Sequence, residues 1–175
     1  MVSIPRTVRS ATCALLFAAS AAASRNVERA DPNRLFVIRR SLNANIVVYD
    51  AVRDSQGNLD PTSPVKAYWL LNADKGERAD LNLIEKVEAY GVEVGSSTKQ
   101  SAQITVKALK DRPISVRIEG KRPEAIARIS GQDALLRSVF VKTVPNHPRS
   151  VEYVELVGVS LRAHKPVRER IKTSG

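Results

Sequence analysis

Apolar and polar residues alternate along most of this chain, and a period of two is the pattern of a strand with one buried face. Ala102, Ile104, Val106 and Ala108 alternate with Gln103, Thr105 and Lys107. Beyond the turn at Asp111, Arg112 and Pro113, the residues Ile114, Val116 and Ile118 alternate with Ser115, Arg117 and Glu119. These two runs predict a hairpin, one face in the core and one in water. Residues 35–40 (LFVIRR) and 45–52 (NIVVYDAV) are rich in β-branched and aromatic side chains and predict another hairpin, joined across Asn43 and Asn45. Residues 54–64 concentrate Asp, Ser, Gly, Asn and Pro and predict a long loop. It leads into a strand over 65–71 that places Val65, Ala67, Trp69 and Leu71 on one side and Lys66, Tyr68 and Leu70 on the other. Downstream, 92–94 predicts a short strand before a loop at 95–97, and 125–129 pairs with 135–144 about Gly131. A last strand over 151–161 contains Gly158, which marks a bulge or a close approach of two backbones. From Ala163 the chain is polar and basic and predicts a mobile tail or a weak helix.

The period changes once. Between Asp80 and Tyr90, the residues Leu83, Ile84, Val87 and Tyr90 fall within a stripe about 120° wide at 100° per residue, while Asn82, Glu85 and Lys86 point away. This predicts a short amphipathic helix over 80–90, with its apolar stripe docked on a sheet. Asp80 or Asn82 can cap its first turn, Asn82 and Glu85 have capping-box spacing, and Gly91 can end it in the left-handed conformation. One helix among so many strands predicts a mostly β fold: an antiparallel β-sandwich or barrel of about eight to nine strands with the helix inserted.

Composition sets the compartment. Arg6 and Arg9 precede an apolar run over 11–23 and the small residues Ala21, Ala22, Ala23 and Ser24, the three-part pattern of a secretory signal peptide, too short to span a membrane. The expected organisation is a signal peptide over 1–24, a polar leader over 25–34, one β-rich domain over 35–162 and a basic tail over 163–175. Export to the periplasm or beyond the cell follows, with no transmembrane segment left after signal removal. Cys13 is the only cysteine and lies in the signal, so the remaining chain has neither a disulfide nor a thiol nucleophile. The formal charge of +10 falls to about +8 once Arg6 and Arg9 are removed, which favours anionic partners. Aromatic residues are only 5% and no basic run is interleaved with them, so nucleic acid is not an expected partner.

Catalytic patterns are missing. His147 and His164 lie in proline-bearing loops, and a transition-metal site needs three or four ligands; no metal and no cofactor is expected. No Gly-x-Ser-x-Gly and no phosphate-cradling glycine loop occurs. Basic residues recur at polar-face positions: Arg39 or Arg40, Lys66, Lys107, Arg117, Arg128, Lys142 and Arg162. On neighbouring strands they would form a stripe for phosphates or carboxylates. The more ordinary arrangement is a solvated sheet face balanced by Glu119, Glu124, Glu152 and Glu155. Tyr68, Trp69 and Tyr90 could line a pocket, although aromatics between a helix and its sheet are usually core. The candidate ligand-binding set is therefore Lys66, Tyr68, Trp69, Tyr90, Arg39, Arg117 and His147.

The segments LFVIRRSLNANIVVYDA, PVKAYWLL, LNLIEKVEAYGV, KALKDRPISVRI and VEYVELVGVSL together resemble the bacterial exported family of domain of unknown function 4833, over residues 35 to about 162. The tryptophan strand and the Asn82, Glu85, Tyr90, Gly91 helix are its most specific parts. The resemblance implies a single extracytoplasmic domain and brings with it no activity, ligand or catalytic residue. The leading functional expectation is a non-catalytic envelope module that binds an anionic or amphipathic component or small molecule. One alternative is a hydrolase or transferase with a nonstandard site at Tyr90, Lys86, Asn146 or His147; another is a structural module that pairs through an edge strand. The sequence leaves the oligomeric state open.

Overall fold

A computed structural model describes residues 31–41, 43–71 and 76–172. The signal peptide, Cys13 and most of the leader lie outside these residues. The described strands are β1 (Arg34–Arg40), β2 (Ile46–Ala51), β3 (Val65–Leu71), β4 (Glu77–Asp80), β5 (Val92–Ser97), β6 (Ser101–Val106), β7 (Ile114–Glu119), β8 (Arg122–Ile129), β9 (Gln132–Val144), β10 (His147–Ser160) and β11 (Pro166–Lys172). They form one eleven-stranded sheet whose main path runs β4-β3-β2-β1-β9-β8-β7-β6-β5, with β10 between β9 and β11. The expected antiparallel sandwich or closed barrel is replaced by a curled, mixed sheet shaped as a half-barrel. From Pro32 on, the chain is a single unit.

The departure from a purely antiparallel sheet has one cause, the length of β9. Its first residues, Gln132 to Leu135, pair antiparallel with β8, and its later ones, Ser138 to Val141, pair parallel with β1. Two strands thus share one edge of β9 end to end, while β10 runs antiparallel along the other. The change of partner coincides with a bulge: Gly158 faces Leu136 and Val157 faces Ser138, leaving Arg137 as the extra residue on β9. Bulges bend and twist a strand at one point. A Cβ on Gly158 would stand 2.5 Å from the Leu135 carbonyl oxygen and 2.8 Å from Ile129 Cδ1, so only glycine lets β10 follow β9 through the bend.

The core lies on one face of the curl and includes Phe36, Tyr49, Ile104, Ile114, Val116, Ile129, Leu136, Val139 and Leu156. Phe36 and Tyr49 stack with ring centroids 4.4 Å apart. Side chains of this size contribute about 1.5–3 kcal/mol each on full burial. On β1 and β2 the opposite face is buried as well, at Val37 and Val48.

Four elements differ from the sequence expectation. The helix is one α turn, α1 (Leu83–Glu85), continued by a π turn over Lys86–Tyr90. Its orientation is reversed: Leu83, Ile84 and Val87 are 76%, 67% and 59% exposed, and only Tyr90 of the stripe is buried. Glu85, expected in solvent, accepts hydrogen bonds from the Trp69 indole N–H at 3.1 Å and from the Asn82 backbone N–H at 2.9 Å. The Asn82 side chain accepts from the Glu85 backbone N–H at 2.9 Å, so the capping box is present. Gly91 is extended rather than left-handed, with φ −62° and ψ 151°. Its reason is space, because a Cβ there would lie 1.8 Å from the Lys86 carbonyl oxygen. Finally, the basic tail forms a strand over its described length: Val154, Leu156 and Gly158 of β10 pair with Ile171, Glu169 and Val167 of β11. The loop expected at 95–97 belongs to β5, with a bulge between Val94 and Ser96, and Lys107 opens a 3-10 turn rather than continuing β6.

A candidate anion-binding face

Cross-strand register decides which side chains share a face, since residues directly opposite one another project to the same side. Away from the core, Arg39 on β1 stands opposite Phe140 on β9, Phe140 opposite Glu155 on β10, and Glu155 opposite Arg170 on β11. In a neighbouring row Lys142 faces Tyr153 and Tyr153 faces Lys172. Arg168 lies on the same side of β11 as Arg170 and Lys172, two positions apart in each case.

Two half-buried rings form the middle of this surface, Phe140 and Tyr153, with centroids 6.3 Å apart. The Arg170 guanidinium lies 4.2 Å from the centroid of the Tyr153 ring, in cation–π geometry. Its N–H groups also donate to one oxygen of Glu155, at 3.0 and 3.3 Å, while Arg168 reaches the other oxygen at 3.3 Å. Glu155 is buried, and two arginines more than neutralise it. Lys142 and Lys172 make no ion pair among the described residues. The surface therefore carries five cations, Arg39, Lys142, Arg168, Arg170 and Lys172, around one clamped carboxylate and two aromatic rings. Exposed guanidinium and ammonium groups beside apolar rings suit anions with an attached hydrophobic or sugar body.

The sequence candidates divide among four places. Arg39, Lys66 and Tyr68 share the face opposite the core, with Arg39 at the margin of the basic surface and Lys66 3.6 Å from Asp80. Tyr68 is buried there, where its hydroxyl donates to Asp50 Oδ2 at 2.6 Å and Arg34 Nε donates to Oδ1 at 2.6 Å. Burial, then the hydrogen bond to Asp50, push the Tyr68 hydroxyl up to about 12. That is a locked structural cluster, with the Arg78 guanidinium 4.9 Å above the ring. Trp69 and Tyr90 are on the other face, packed edge to face at 5.4 Å within the core. The Tyr90 carbonyl accepts from the Tyr49 hydroxyl at 2.9 Å, which ties the π turn to β2. Arg117 projects from β7 toward Glu124 and Glu119, at 3.3 and 3.5 Å. His147 is exposed where β10 leaves its turn with β9.

Phe140, Tyr153, Arg168, Arg170 and Lys172 were not among those candidates. For the three basic residues the signal was present in the period-two run Val167, Glu169, Ile171 against Arg168, Arg170, Lys172, which reads as a strand once the tail is not dismissed for its charge. Among the described residues no three His, Cys, Asp or Glu side chains are grouped as metal ligands, and no helix is long and apolar enough to cross a membrane. A family model described as a domain of unknown function (DUF4833) matches residues 36–170. Neither a curated protein nor a solved structure matches the chain.

Proposed function

The chain belongs to the DUF4833 family, and from that premise we propose that it is an exported, non-catalytic domain of the bacterial envelope that binds an anionic or amphipathic partner through β9, β10 and β11. The observation that carries this reading is the clustering of Arg39, Lys142, Arg168, Arg170 and Lys172 around Phe140 and Tyr153, with the buried carboxylate of Glu155 among them. The N-terminal sequence pattern supports export. Each exposed cation near an anionic surface contributes about 1 kcal/mol; Arg168, Arg170 and Lys172 are exposed and Arg39 and Lys142 half-buried, with Glu155 offsetting one charge, so together they give useful affinity without any single tight contact. The aromatic pair adds apolar area that an uncharged surface would also meet, which makes the two contributions separable.

Binding to phosphatidylglycerol vesicles, measured by co-sedimentation against phosphatidylcholine vesicles and repeated with dextran sulfate against dextran, tests the proposal. Expected is retention by both anionic probes, lost between about 0.05 and 0.5 M salt as the Debye length shrinks. The Lys142→Glu/Lys172→Glu variant should bind at least ten-fold more weakly. Equal binding to charged and uncharged probes would remove the electrostatic reading.

A further inference from the structure

A second surface feature lies at the other end of β9. Two depressions share Arg128, Asp133 and Leu161 in their walls; one continues to Gln132 and Arg162, the other to Ser115 and Arg117. Three of the arginines that recur at polar-face positions in the sequence, Arg117, Arg128 and Arg162, thus line one continuous groove.

Its charges are not spent on one another. Arg128 and Asp133 stand directly opposite across the β8–β9 hairpin, the position in which an ion pair would be expected, yet no ion pair joins them, and Arg162 has none among the described residues either. Two exposed guanidinium groups and one carboxylate face the same space. At the far end, Arg117 engages Glu124 and Glu119 through Nη2 only, and its Nη1 has no hydrogen-bond partner among the described residues. A ligand carbonyl oxygen placed there would meet a charged donor that the chain leaves open. The separation is set by the sheet. Arg117 pairs with Glu124, four positions before Arg128 on β8, or about 13 Å at the rise of a strand. Four residues of extended peptide span that distance, over a floor that includes Ile126, Pro113 and Leu161.

We propose that this groove binds the C-terminal end of a short extended peptide, its carboxylate between the Arg128 and Arg162 guanidinium groups and a backbone carbonyl oxygen on Arg117 Nη1. Asp133 beside the carboxylate subsite selects a cationic side chain on the last residue and disfavours an acidic one. The site is separate from the basic face of β9 to β11, and its loss leaves that reading standing.

Calorimetric titration of the full chain with tetra-alanine, tetra-alanine amide and trialanyl-lysine provides the test, with acetate as a control for an anion that occupies the carboxylate subsite alone. The free acid should bind at least ten-fold more tightly than the amide and than acetate, and the lysine peptide more tightly than tetra-alanine. Arg128→Ala/Arg162→Ala should lose the preference for the free acid over the amide. Asp133→Asn should keep that preference and lose the one for lysine. All three positions are exposed, so the variants should keep the wild-type melting temperature, which verifies their folding. Equal affinity for acid and amide, acetate binding as tightly as tetra-alanine, or no binding of any peptide to the folded wild type would each overturn the proposal.

Discussion

Gly158 holds a tightly constrained position in the sheet, because the carbonyl of Leu135 and the methyl of Ile129 occupy the space a side chain would need. A carbonyl in a paired strand cannot move aside cheaply, so Gly158→Ala should cost about 2–3 kcal/mol, toward the upper end for overpacking. At about 2–4 °C per kcal/mol for a chain of this size, thermal denaturation should show a fall of roughly 5–10 °C; an unchanged midpoint would mean that β10 does not follow β9 as described. Tyr68 offers a titration instead. Its hydroxyl is held neutral up to about 12 in the folded chain, whereas in an unfolded chain it ionises near 10. The stabilisation is therefore complete below about pH 10 and is lost as the pH rises toward 12. The melting temperature should fall over that interval, and Tyr68→Phe should flatten the fall while lowering stability at neutral pH, since Asp50 loses a donor. Tyr49, pushed well above its ordinary value by burial, leaves a residual slope in the variant. A fall of the same steepness in Tyr68→Phe would contradict the assignment. Both features could be read in the sequence to different depths. Gly158 interrupts an otherwise apolar strand, which announces a bulge, but its partner at Leu136 depends on long-range register that no local pattern encodes.

The element that departs most from its sequence pattern is the helix. Hydrophobic periodicity orients a helix when several turns contribute, and here only α1 and one π turn exist, so individual hydrogen bonds decide. The capping box and the Trp69–Glu85 contact fix one end, and the Trp69–Tyr90 edge-to-face contact fixes the other. The i→i+5 bonding of the π turn widens the coil and brings Tyr90 inward without Val87. Replacing Leu83, Ile84 and Val87 together by Gln should consequently shift the melting temperature by no more than about 3–6 °C, as for three surface sites within about 0.5 kcal/mol each. Glu85→Ala removes the acceptor for two hydrogen bonds and should cost about 1–2 kcal/mol. The opposite ranking would restore the orientation that the amphipathic wheel implies. The strands were far more legible, because a period of two needs only five or six residues to declare itself. β11 was lost for the reverse reason: its charge suggested a solvated tail, although Val167 and Ile171 pack on the core and their basic neighbours face outward.

For the molecule as a whole, β9 is the organising element. It joins two antiparallel runs, β1 to β4 and β5 to β8, along one edge and carries β10 and β11 on the other. The parallel pairing of β1 with β9 joins residues about a hundred positions apart, and it could not be inferred from local alternation, which is why a sandwich or barrel was the nearest expectation. The same arrangement gathers cations that are dispersed in sequence, Arg39, Lys142 and the Arg168 to Lys172 run, onto one surface. The central claim is that placement, and not net charge alone, gives the chain its affinity for anions. Two variants of equal charge separate these: Lys142→Glu/Lys172→Glu on the β9–β11 face, and Lys110→Glu/Lys121→Glu at exposed positions on turns elsewhere. Affinity for phosphatidylglycerol vesicles at 0.05 M salt should fall at least ten-fold in the first and less than three-fold in the second; equal losses in the two variants would contradict the account.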